Sequence, residues 1–140
     1  MPADMDDRIL SGLNESQREA VHRAVIRGQE EVIGILRTAT AGGRVPLDDI
    51  LEAFLEKPES AQARMVEVFG MLATEEVPGT DGTYAERVDL VKKSALESFR
   101  RSLTPEQFRA YEKTGQDPLE IQVEDSPWVP VFQEAWKRKR

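Results

Sequence analysis

The chain has 140 residues, no cysteine and a single histidine, His22. These counts fit one domain with tails and exclude a disulfide scaffold, thiolate metal sites and cysteine catalysis. Acidic residues outnumber basic ones by 26 to 19, a net charge of −7; setting aside the four basic residues 137–140 leaves 26 against 15, or −11. An acidic body does not suit a nucleic-acid groove, where affinity rests on neutralising phosphates. No apolar run approaches the roughly 18–20 residues of a membrane span, so no direct membrane insertion of this chain is expected. The acidic start Met1–Asp7 does not read as a signal peptide.

The pattern is helical almost throughout. Residues 1–12 form a short lead-in, with Ile9 and Leu10 able to dock. A long helix is predicted over about 14–41, its apolar residues (Val21, Ala24, Val25, Val32, Leu36) returning every three or four positions. Gly28 and Gly34 interrupt it, each costing about 1 kcal/mol relative to Ala, and Gly42-Gly43 ends it. After the connector Val45-Pro46-Leu47 comes a short helix over 48–56. The next covers about 59–76, with Ala63, Val66, Phe69, Gly70 and Ala73 on one stripe. Residues 78–82 form the clearest loop.

A second long helix begins near Thr83 and carries Val88, Val91, Ala95, Phe99 and Leu103. A further helix runs from Thr104 to about Gly115. Beyond it, 119–123 alternates as one extended segment, Pro127 and Pro130 bracket Trp128-Val129, and 131–139 forms a short helix with Phe132, Ala135 and Trp136 on one face. The expected organisation is a lead-in (1–12), a helical domain (13–115) and a mostly irregular tail (116–140). The expected fold is all-α, an elongated hairpin or bundle of four to five helices.

Two helix starts look alike: Leu13-Asn14-Glu15-Ser16-Gln17 and Leu103-Thr104-Pro105-Glu106-Gln107. Each reads as a capping box, with Asn14 or Thr104 as N-cap and Gln17 or Gln107 reaching back to the cap amide. Pro105 fits the first helical position. Leu103 can staple onto Phe108, whereas Arg18 occupies the equivalent position of the first copy.

This order of helices and boxes, over about residues 13–114, resembles the Spy/CpxP family of periplasmic all-helical proteins with paired Leu-Thr-x-x-Gln motifs. The second copy matches fully through Leu103, Thr104 and Gln107; the first has Asn14 in place of threonine. The resemblance implies a curved four-helix hairpin, often an antiparallel dimer forming a cradle, that acts as an ATP-independent chaperone or as a sensor of envelope stress or metals. It also implies that the motif residues are structural and tie helix ends together. A periplasmic location follows from it if a signal or anchor lies upstream; without it, the chain reads as cytoplasmic.

The expected function is non-enzymatic: binding of a flexible polypeptide client through the face made by Val21, Val25, Val32, Leu36, Val91, Ala95 and Phe99, with an acidic cradle favouring basic clients. The alternative is a cytoplasmic adaptor that docks one protein partner through Trp128, Phe132 and Trp136, since Trp is enriched in binding hot spots. His22 and Glu19 alone do not make a metal site. Adjacent carboxylates such as Glu30-Glu31 point about 100° apart on a helix and do not face one another. Residues 79–82 lack the Gly-Lys-Ser/Thr of a phosphate loop. No catalytic residue, cofactor or nucleic-acid partner is expected.

Overall fold

The computed structural model describes residues 12–121 and 123–139. The lead-in with Ile9 and Leu10 lies outside the described residues, apart from Gly12. Six α-helices are present among the described residues: α1 (Glu15–Arg37), α2 (Pro46–Leu55), α3 (Pro58–Thr74), α4 (Tyr84–Ser102), α5 (Pro105–Thr114) and α6 (Trp128–Lys139), with a 3-10 turn at Pro118–Glu120. The protein is all-α, and two helix boundaries differ from the expected ones. α1 ends four residues before Ala41, because a turn follows in which Thr40 N donates to Arg44 O, Arg44 N donates to Thr40 Oγ1 and Gly43 takes φ +88°. α6 starts at Trp128, three residues earlier than read, because Pro130 falls in the first turn. No intrahelical donor is needed there, so the proline does not break the helix. The tail is therefore largely helical.

The chain folds into two compact units. One comprises the described residues of Met1–Gln29 and Val91–Ser126; the other, those of Glu30–Leu90 and Pro127–Arg140. The chain passes from one unit to the other within α1, again within α4, and a third time between Ser126 and Pro127.

The first unit has a closed apolar core of Leu13, Val21, Val25, Phe99, Leu103, Phe108, Tyr111 and Ile121. Phe99 meets Tyr111 edge-on at 5.3 Å between centroids, a favoured aromatic geometry. The segment after α5 wraps back onto this core. Ile121 is buried in it, and Leu119 occupies the notch left by Gly28 on α1.

In the second unit, α2 packs against both α3 and α6. Leu47, Leu51, Ala53, Val68, Val131 and Ala135 are buried. Tyr84 is fully buried, and its hydroxyl donates to Thr38 O at 2.7 Å, which satisfies it. Burial pushes the Tyr84 phenol above its ordinary range. Arg64 of α3 pairs with Glu52 and Glu56 of α2. α4 opens with a further capping box: Thr83 N donates to Glu86 Oε1 at 2.8 Å, and Glu86 N to Thr83 Oγ1 at 3.2 Å. The expected stripe on α3 exists but is not core. Ala63, Val66, Phe69, Gly70 and Ala73 are all exposed, and Val68 is the residue α3 buries.

The two α1 glycines differ in surroundings. A Cβ on Gly34 would meet nothing within 4 Å, whereas one on Gly28 would collide with Leu119 Cδ2. Gly34→Ala should therefore raise stability by up to about 1 kcal/mol from helix propensity alone. Gly28→Ala gains the same propensity but must displace Leu119, and should fall below Gly34→Ala by about 1 kcal/mol or more. Urea midpoints of the two variants check this; equal midpoints would mean that Leu119 does not fill the notch.

Candidate functional site

The two motif segments meet in the first unit. Asn14 N donates to Gln17 Oε1 at 3.0 Å and Gln17 N to Asn14 Oδ1 at 2.8 Å, closing the first box. Thr104 N donates to Gln107 Oε1 at 2.9 Å and Gln107 N to Thr104 Oγ1 at 3.2 Å, closing the second. The side-chain nitrogens then cross over. Gln17 Nε2 donates to Gln107 Oε1 at 2.8 Å and to Ser102 O at 3.2 Å; Gln107 Nε2 donates to Gly12 O at 3.2 Å. Leu13, Leu103 and Phe108 are buried in the core cluster, and the Arg100 guanidinium sits 5.3 Å from the centroid of the Phe108 ring, within cation–π range. The pair of boxes is thus one linked network, and its residues cap helices.

A second polar set fastens the wrap-around segment. Gln29, buried on the core side of α1, donates from Nε2 to Leu119 O at 2.9 Å and accepts from Ser126 Oγ at 2.6 Å. Lys92 Nζ lies 2.6 Å from Asp117 Oδ2, and His22 Nε2 lies 2.6 Å from Asp125 Oδ1. Gln29 was missed by the sequence reading. The available signal was its place on the α1 stripe, four residues after Val25 and three before Val32, where an unpartnered amide would be costly.

The same segment and α1 border an open groove of about 770 Å³ with Val21, Ile121 and Val123 along it and Arg18, Glu19, His22, Glu124 and Asp125 around them. Among the described residues, no three His, Cys, Asp or Glu side chains gather as metal ligands, and no helix is long and apolar enough to cross a membrane.

The expected client-binding face is corrected by burial. Val21, Val25, Val32, Leu36, Val91, Ala95 and Phe99 are all buried, Val25 completely and Phe99 to 1%. Their spacing marks the inward side of α1 and α4, so they are core and offer no surface to a client. Among the described residues, the exposed large apolar side chains are Phe54, Val66, Phe69, Leu90, Val129 and Trp136, and all six belong to the second unit. On α6, Val129, Phe132 and Trp136 recur at the spacing of one helical stripe. Phe132 stacks on Trp128 at 5.6 Å and touches Phe54 of α2 at 4.8 Å between centroids. Of the three tail residues singled out in the sequence, Trp136 is exposed while Trp128 and Phe132 are half-buried.

Compared with protein-family models, curated proteins and solved structures, the chain matches none.

Two predictions follow from the first unit's geometry. Gln17→Ala and Gln107→Ala should each cost about 1–2 kcal/mol. The double variant should cost less than their sum by at least ~0.5 kcal/mol, because either change already breaks the shared network; strict additivity in urea unfolding would dissolve the link. The hydrogen bond from His22 holds the Asp125 carboxyl below the usual carboxylate range, against a smaller opposing effect of burial. A carboxyl more acidic in the folded chain stabilises it above the ordinary carboxylate pKa, and that contribution fades as pH falls through the folded value. The urea midpoint of the wild type should therefore exceed that of Asp125→Asn near neutrality, and the gap should close in acid. A gap independent of pH would contradict this.

Proposed function

We propose that this chain is a non-enzymatic polypeptide-binding protein whose contact surface is the exposed apolar surface of the second unit. The observation that carries this reading is the partition of apolar side chains. Among the described residues, the first unit gathers its large apolar side chains around a core, while all six exposed ones lie in the second. Clustered exposed apolar residues are characteristic of interaction sites, and aromatic anchors dominate binding energy. The acidic body, at −11 without its last four residues, favours basic clients through steering that salt screens.

The Spy/CpxP-like reading fits this proposal. The linked glutamine boxes supply the helix-end tie which that resemblance implies, and the chemistry is reversible binding without ATP, cofactor or covalent step. A periplasmic setting belongs to that reading where a signal or anchor precedes the chain. A second reading, a cytoplasmic adaptor for one dedicated partner, is favoured by the ring series Phe54, Phe132 and Trp128 with Trp136 exposed on the same helix. Deleting 116–140 does not separate the two, because that stretch contributes to both units; point variants do.

The test is light scattering of a chemically unfolded, aggregating client, without ATP, at low and high salt. The wild type should suppress aggregation near equimolar ratio, more for a basic client than an acidic one, and less in high salt. Phe54→Asp with Trp136→Asp should remove suppression and leave the helical circular dichroism unchanged. Val25→Asp should instead unfold the protein, since it buries an unpaired charge. No suppression of either client would sink general client binding and leave the dedicated adaptor.

A further inference from the structure

α6 is attached along one narrow side. It packs on α2, and among its described side chains Val131 and Ala135 are buried. Beside that seam runs a groove of about 490 Å³, with Leu51 and Leu55 of α2 on one wall and Ala135 of α6 on the other. The ring contact that extends the seam, Phe132 on Phe54, is open to water, since Phe54 is 66% exposed. A helix joined by so few buried apolar groups, next to unfilled space, opens at lower cost than the core around it.

The two ends of α6 are held differently. Ahead of it the chain is fastened up to Ser126: Asp125 pairs with His22, and the Ser126 hydroxyl donates to Gln29. The helix starts two residues later, at Trp128. Near its other end the exposed Arg138 lies in the groove with Asp48, Glu52 and Glu56 of α2. Charge attraction at such a solvated place is weak. One end is a fixed attachment and the other a loose latch.

We propose that α6 is a strap that swings off α2 while the rest of the chain stays folded, and that the client segment enters between the two helices. This rests on the client-binding reading and says where the client goes. Closed, the pair shows a client Phe54, Val129 and Trp136. Open, α6 adds Val131, Phe132 and Ala135, and α2 adds the side on which they rest. A client buries more apolar area in the open form and so draws the equilibrium toward it. The apparent affinity of the wild type is lowered by the fraction of chains that are open.

Hydrogen exchange of the full chain without client, paired with the light-scattering assay, tests this. Amides 132–138 should show protection at least about tenfold lower than the middle of α2. Val131→Ala takes an apolar contact from α6 and should lower that protection about tenfold more. Arg138→Glu, at an exposed position, should act in the same direction. Both variants should suppress client aggregation at a lower ratio than the wild type. Val68→Ala is the control: it loses the same two methyl groups from α3 and should leave both readouts at wild-type level. Protection of α6 equal to that of α2 overturns the strap, whatever clients do. If the wild type suppresses aggregation and Val131→Ala does no better than Val68→Ala, the strap falls and client binding stands. If neither the wild type nor any variant suppresses aggregation, the client-binding reading falls and takes the strap with it.

Discussion

A pair of glutamine side chains, 90 residues apart in sequence, holds the first unit together at its helix starts. A primary amide offers one oxygen and two N–H donors. In Gln17 and Gln107 the oxygen closes the local capping box, and the nitrogen is left to reach across to the other box and to the carbonyls of Gly12 and Ser102. Glutamate could close a box but has no donor with which to cross. The requirement for glutamine at both sites is therefore a requirement of the link, and the burial of Leu13, Leu103 and Phe108 beside it follows from where the link places the helix ends.

Inward from the knot, the first-unit parts of α1 and α4 bury Val21, Val25 and Phe99 in one core with Ile121 of the wrap-around segment. Gln29 shows how completely the inner side of α1 is used, since even its one amide is consumed by Leu119 O and Ser126. The second unit is organised differently. α2 is its hub, touching α3 and α6, and each of those helices buries only a narrow side. Apolar residues placed outward on a solvated helix cost solubility, and chains retain them in number where an interaction offsets that cost.

The sequence made the helices legible because 3.6-residue periodicity survives in each, and both capping boxes were readable from residue type and spacing. Four things went unread. Both α1 and α3 carry an apolar stripe, yet one is core and the other surface; a stripe reports that a helix has an apolar side and not what lies against it. Pro130 looked like a boundary because its place within a helix first turn depends on where the helix begins, and that was set three residues earlier at Trp128. The box at Thr83 and Glu86 was passed over, although its Thr-x-x-Glu spacing is an ordinary one. The link between the two glutamines is long-range and leaves no mark on local sequence.

Both units are built from separated stretches of chain, and this dictates an order of assembly during synthesis. Most of the second unit is the unbroken stretch Glu30–Leu90, whose contacts are available as soon as it leaves the ribosome. The first unit must wait for Val91–Ser126: its opening helix emerges early with Val21 and Val25 uncovered, and Asp125, 103 residues after its partner His22, arrives last. Contacts so distant in sequence close slowly, and an apolar helix that waits uncovered is exposed to aggregation meanwhile. The stretch that carries Val21 and Val25 is therefore vulnerable until the residues up to Asp125 have been made.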